Sequence, residues 1–369
     1  MKRKITSQAI FSIIILIIIA FFVSAQTVCA KDGREVIKLR VIAGHPAQAA
    51  PWTREMTGYF VPELKKRVLA QTKDYELKIQ EFYGGSVAAL GEVLEAVEKG
   101  VGDIGMVVWC FDTAKLHPCN ASSWFPFTSP DMNMVAKAWR KTWEEFPFLE
   151  ETLAKYNQKS LGFPVSGSYD IISNFPITKL EDMKGHKLGH GGPMVPWINA
   201  TGAVGVQSRL NEAYTSIQTG VYDGWFSTAS VIVGFKLYEP APYHTIVGLG
   251  AIITQAITIN LDTWKKLPPE IQKIMIQVGR DYETFAAKKL TDESNEKLAY
   301  MKAHGTKISK ISEKERKRFA MAMDEAMVAD FMVQESVKKG WPQAKEMARF
   351  YIKTLSEMGY DWPIMPTIK

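Results

Sequence analysis

No P-loop and no G-x-S-x-G elbow occurs in this sequence, and its six histidines stand in no recognisable triad context. An enzyme is therefore the weaker class, with a secreted hydrolase as its leading form, and neither catalytic residues nor a cofactor are expected. Low-complexity tracts and acidic or basic tails are also lacking. Cysteine is scarce, with three residues, of which Cys29 falls in the first thirty positions. Cys110 and Cys119 either pair across a short loop or stay as thiols, and spacing alone does not choose between these.

Charge excludes a further class. Lys2, Arg3 and Lys4 precede the apolar run "AIFSIIILIIIAFFV", and "SAQTVCA" then offers small residues for a cut after Ala25. Positive, apolar and small in that order is the pattern of a secretory signal peptide, assigned here to residues 1–30. The run is about 15 residues, short of the roughly 20 that span a bilayer, so a retained anchor is the alternative. Those thirty residues hold three basic groups and no acidic one, so the formal charge of +6 becomes +3 on export. So mild a charge on this length does not point to nucleic acid. Export points instead to a periplasmic protein.

The rest has ample core-forming material, with 46% hydrophobic and 11% aromatic residues, and its length implies about two domains. "VIKLRVIAG" (36–44) and "YELKIQEFY" (75–83) alternate as strands do. Between them, Met56, Tyr59, Phe60, Leu64 and Val68 recur at helical spacing. A helix over 89–100 ends at Gly100, where a C-terminal cap belongs, and "DIGMVVWC" (103–110) reads as a buried parallel strand. Strand, helix, strand is a βαβ unit and argues for an α/β lobe. The device recurs: "KGVGDIG" (99–105) and "TGVYDGW" (219–225) both carry Gly-Val-x-Asp at the passage from helix to strand, which predicts two similarly built lobes. The last third reads as helices, starting at Pro268–Pro269, at the capping box "SEKE" (312–315) and at Pro342.

Two motifs fail on context. "GVGDIG" (100–105) satisfies G-x-G-x-x-G but follows a helix and opens a strand, the reverse of the dinucleotide fingerprint. "HKLGH" (186–190) spaces two histidines as metal ligands on a helix would be, but Gly185, Gly189, Gly191 and Gly192 make a helix improbable there. No metal is expected.

Taken in order, "EFYGGSVAALGEVLEAVEKGVGDIGMV", "NFPITKLEDMKGHKL", "LNEAYTSIQTGVYDG" and "LPPEIQKIMIQVG" resemble the DctP-type substrate-binding proteins of TRAP (tripartite ATP-independent periplasmic) transporters, over roughly residues 36–300. The resemblance implies two α/β lobes joined by crossing strands and long helices. The lobes close on a small-molecule ligand that is handed to TRAP membrane permease subunits. The division it implies is 31–163 with 251–287 for the first lobe, and 164–250 with 288–369 for the second lobe and its helical tail. A ligand-presenting partner of a membrane sensor is the alternative role.

The resemblance also exposes departures. Gly189 stands where relatives carry an arginine that forks onto a substrate carboxylate, Tyr169 where many have another arginine, and Ser227 where the family has asparagine. A glycine cannot replace a bidentate arginine contact. Either an anion is still bound, through His190, Arg209, Ser227 or backbone amides of the glycine loop, or the ligand has an aromatic or bulky apolar part. In the second case Trp109 and Trp225, near corresponding strand ends, would meet it, with Tyr169 and Trp197 as further candidates. Core packing is the competing role for each tryptophan, and a surface position for Gln207 and Arg209.

Overall fold

The computed structural model describes residues 33–369, apart from the side chain of Pro193. The expected signal peptide and Cys29 lie outside the described residues. The first lobe starts with β1 (Glu35–Ala43), which runs into α1 (Pro51–Glu55), a π turn over Met56–Phe60 and α2 (Val61–Gln71). This is the helix expected from the spacing, with an interruption. Pro62 brings no N–H to the carbonyl of Gly58, and the widened turn absorbs the loss. β2 (Tyr75–Phe82), α3 (Val93–Glu98) and β3 (Ile104–Val107) complete the βαβ unit. α4 (Met132–Glu145) then covers the sheet, capped by the Asp131 carboxylate on two backbone amides.

β4 (Gln158–Gly162) leaves the first sheet and runs into β5 (Ser168–Ser173) of the second. There follow β6 (Lys187–His190), β7 (Val204–Gln207), α5 (Ala213–Gln218) and β8 (Gly224–Ser227). β9 (Tyr243–Ala251) crosses back to the first sheet as β10 (Ala256–Asn260). The first sheet is ordered β2-β1-β3-β10-β4, the second β7-β6-β8-β5-β9, with β11 (Lys307–Lys310) added at its edge. Each sheet has a parallel core, β2-β1-β3 or β7-β6-β8, closed by one antiparallel strand, β10 or β5. Two α/β lobes of one design are thus linked by two crossing strands.

The Gly-Val-x-Asp repeat is the joint within each design. Gly100 (φ +69°) and Gly220 (φ +74°) are left-handed, and Val101 and Val221 donate back to Ala96 and Ser216 to close the helix end. The aspartates then fasten the neighbouring parallel strand. Arg40 N donates to Asp103 Oδ2 at 2.8 Å and Lys187 N to Asp223 Oδ2 at 3.0 Å. Asp103 N and Asp223 N return bonds to the same two residues.

Where the strands cross, Ser166 N donates to Ile252 O at 2.8 Å, and Gln255 Nε2 donates to Pro164 O and Ser166 Oγ. The 35-residue α6 (Pro269–Ala303), on the order of 50 Å at 1.5 Å per residue, lies across the crossing. Contact is backbone to backbone. A Cβ on Gly279 would sit 2.0 Å from Leu161 O, and one on Gly162 2.7 Å from Gly279 O. One turn on, buried Glu283 accepts from Phe163 N at 2.8 Å and pairs with Arg140 of α4, whose guanidinium lies over the Phe163 ring.

The tail divides between the lobes, which differs from the expected assignment of all of 288–369 to the second. β11 and α7 (Glu313–Glu325) lie with the second sheet, but α8 (Val328–Lys338) leads to α9 (Ala344–Glu357), which packs on α4 of the first. The reason is apolar burial: Ala344, Met347, Tyr351 and Leu355 share a core with Trp139, Trp143 and Phe125. Among the described residues no helix is long and apolar enough to cross a membrane.

Removing Glu283 leaves a guanidinium and an amide unpaired in the interior. Glu283→Ala is expected to cost about 3–5 kcal/mol in urea unfolding. Lys288→Ala, which removes an exposed pair with Asp292, should cost less than about 1 kcal/mol.

Candidate functional site

The cleft between the lobes closes on a cavity of about 40 Å³. Its walls come from strand ends of both lobes. The first lobe supplies His45, from the loop after β1, Trp52 of α1, and Val108, Cys110 and Phe111 after β3. The second supplies Tyr169 of β5, His190 and Gly191 at the end of β6, and Trp225 and Ser227 of β8. Thr254, from the β9–β10 crossing, also reaches the wall. This is the crevice at the carboxyl ends of parallel strands, formed twice and facing itself.

Tyr169, His190, Trp225 and Ser227, four of the expected site residues, therefore meet in one cavity. The other three do not line it. The strand expected over 103–110 ends at Val107, and Trp109–Phe111 form a 3₁₀ turn held by Asn120 Nδ2, which donates to Trp109 O at 3.1 Å. The turn sends Phe111 to the cavity and Trp109 into the core, stacked on Trp143 at 5.9 Å and beside Phe163. The two tryptophans were never equivalent: Trp109 follows the repeat aspartate by six residues, Trp225 by two. Arg209 is exposed on the approach to α5. Trp197 is a core residue.

Gly189 acts by what it admits. It is buried in β6, paired with Trp225 of β8, and a Cβ there would lie 2.6 Å from the Tyr222 ring and 2.7 Å from the Trp225 ring. The space beside its Cα is filled by aromatic carbon, so no longer side chain fits at this position without moving the Tyr222 and Trp225 rings. His190 stacks on the outer face of Trp225 at 5.4 Å, and Tyr169 tilts against His190 at 5.8 Å. The histidines of "HKLGH" part company. His186 stacks on Phe175 and bonds to Asp223, and only His190 faces the cavity.

Sequence reasoning missed His45, Trp52 and Phe111. His45 lies two residues beyond the end of β1, so the strand-end rule would have pointed to it. Trp52 lies one position into α1 and gives no such sign. Cys110 and Cys119 are both free and buried.

The wall is uncharged at neutral pH, and among the described residues no arginine or lysine lines it. Burial lowers His45 and His190 to about 4 and pushes the Tyr169 hydroxyl and Cys110 thiol upward. Trp52 Nε1 donates to His45 Nδ1 at 3.3 Å, and His190 Nδ1 bonds Gly191 O at 2.6 Å. The chemistry available is ring stacking, apolar contact and neutral hydrogen bonding.

The chain matches the description bacterial extracellular solute-binding protein, family 7 (DctP), over residues 52–334. It belongs to this family. A solute-binding protein of Sulfitobacter sp. strain NAS-14.1 is 30% identical over 157 residues, 42% of this chain and 47% of that protein. The sialic acid-binding periplasmic protein SiaP of Vibrio cholerae is 29% identical over 170 residues, 43% of this chain and 50% of that protein. The chain thus spans about half the length of these two relatives. DctP6, a Bordetella pertussis extracytoplasmic solute receptor binding pyroglutamic acid, shares the fold with a TM-score of 0.73 at 20% identity, covering 86% of this chain and all of that one. The family and these relatives are solute-binding proteins rather than enzymes.

Two outcomes follow. His45, His190 and His117 are each lowered by burial from 6.5 to about 4. The unfolded chain takes up these protons first as pH falls, so stability is complete above about 6.5 and drains away towards 4. The melting temperature should fall steadily from about pH 7 to about pH 4.5, and a flat profile would count against neutral buried imidazoles. Gly189→Ala should cost about 1–3 kcal/mol through overpacking and shift the Trp225 fluorescence, whereas Arg209→Ala should change neither.

Proposed function

We propose that this chain captures a small organic solute with an apolar, ring-bearing body between its two lobes, outside the cytoplasm, and delivers it to the membrane subunits of a TRAP-type secondary transporter. One observation carries the solute class: Trp52, Phe111, Tyr169 and Trp225 line a cavity without arginine or lysine. Aromatic walls favour flat apolar ligands, which stack on them or meet their edges. The cavity of about 40 Å³ is well under the roughly 150 Å³ that holds benzene, so uptake of a ring requires the lobes to part. The crossing strands and α6 are suited to such a hinge. Membership of the DctP family and the signal-peptide pattern support export and transport.

An organic acid is the second reading, favoured by the names of two relatives, which refer to sialic acid and pyroglutamic acid. It would have to bind here without Arg209, which is exposed and does not line the cavity.

A thermal-shift screen of aliphatic dicarboxylates, sugar acids, aromatic acids, ring amides and amines separates the readings. Ring compounds are expected to raise the melting temperature, by about 2.7 kcal/mol of stabilisation at a hundredfold excess over Kd. Trp225→Ala should weaken the best binder at least about tenfold, the loss of one stacking face. Stabilisation by small aliphatic carboxylates alone would sink the aromatic reading and leave the organic-acid one.

A further inference from the structure

We propose that His45 and His190 form a split donor–acceptor pair, one imidazole from each lobe, that selects an uncharged solute carrying both a hydrogen-bond acceptor and an N–H or O–H donor. This rests on the ring-binding reading above and narrows it to ring amides, lactams and hydroxylated rings.

The tautomers follow from the partners. An indole N–H only donates, so His45 Nδ1, which receives it from Trp52, must be the lone-pair nitrogen. The proton of a neutral His45 is then on Nε2, which is buried and has no hydrogen-bond partner. A carbonyl oxygen only accepts, so His190 Nδ1, 2.6 Å from Gly191 O, carries the proton. Its Nε2 is therefore an acceptor. The two rings present opposite chemistry: a donor from the first lobe and an acceptor from the second.

Both rings are held in place. His45 is wedged edge-on between Trp52 and Phe235, with Phe111 beyond. His190 lies against Trp225 and Tyr169. The other wall hydroxyl on the crossing, Thr254, is committed to Gln255 Oε1 and Ser166 Oγ. A buried imidazole without an acidic neighbour on the wall stays neutral, and an ionised ligand brought beside two neutral rings would lose its hydration for little return. An uncharged solute that accepts from His45 and donates to His190 satisfies both groups and ties the lobes together. One lacking either function leaves a buried polar group unpaired, and sites of this kind reject such analogues strongly.

The test uses the purified full chain. ¹⁵N-histidine spectra at neutral pH should show both cavity imidazoles neutral and of opposite tautomer, Nε2–H for His45 and Nδ1–H for His190. A protonated ring, or the same tautomer at both positions, overturns the pair. Calorimetry then compares three probes: 2-quinolinone, its N-methyl derivative, and quinoline-2-carboxylate. The lactam is expected to bind at least about tenfold more tightly than either of the others, the usual effect of one unpaired buried group. His190→Phe should erase its advantage over the N-methyl form, and His45→Phe should weaken both lactams alike. Equal binding of the lactam and its N-methyl form, or preference for the carboxylate, overturns the pair and leaves the ring-binding reading standing. Binding of none of the three also overturns the pair, and the thermal-shift screen then decides the ring-binding reading separately.

Discussion

The cleft depends on a contact between two glycines. Gly162, where the chain leaves the first sheet, and Gly279, about a third of the way along α6, meet backbone to backbone with no room for a methyl group on either. Because the helix can approach so closely, Glu283 reaches the Phe163 amide and meets Arg140, fixing helix, crossing strand and first-lobe helix together. The second crossing strand is tied to the first by Ser166 and Gln255. The lobes are thereby held at one hinge with their strand ends facing, and the cavity is what lies between. Each sheet keeps its own parallel unit and its own aspartate clasp, while one apolar cluster runs between the lobes, from Val41 and Met106 to Leu210 and Trp225.

The cavity wall is aromatic and carries no arginine or lysine. A carboxylate clamp would need arginine at the mouth of β6, and that space is taken by the rings of Tyr222 and Trp225 packed against Gly189. Burial against Trp225 and Tyr169 lowers His190, and burial between Trp52 and Phe235 lowers His45, below the ordinary imidazole range. What remains is shape, stacking and a few directional hydrogen bonds.

Much of this was legible beforehand. The strands, the helix faces and the Gly-Val-x-Asp repeat follow from side-chain periodicity and from the need for a left-handed residue at a helix end, both of which are local. Of the four expected site residues that line the cavity, Trp225 follows from its place near a strand end, Tyr169 and Ser227 from register with the family resemblance, and His190 from its place beside the glycine loop as an anion-binding candidate. Trp109 was misread because a 3₁₀ turn shortened its strand and turned the ring inward, an outcome set by Asn120, Trp143 and Phe163, none of them its sequence neighbours. The tail was misassigned for a similar reason. An amphipathic helix announces that one face will be buried, not which surface will cover it.

The sequence by itself determined that two lobes of one α/β design would form, because periodicity and helix caps are properties of short stretches of chain. Only the tertiary structure decided that Tyr222 and Trp225 pack against Gly189, that His45 and His190 line one cavity, and that burial lowers both imidazoles. Those outcomes depend on which distant surfaces exclude water together, and burial is a property of the assembled fold rather than of any residue in it.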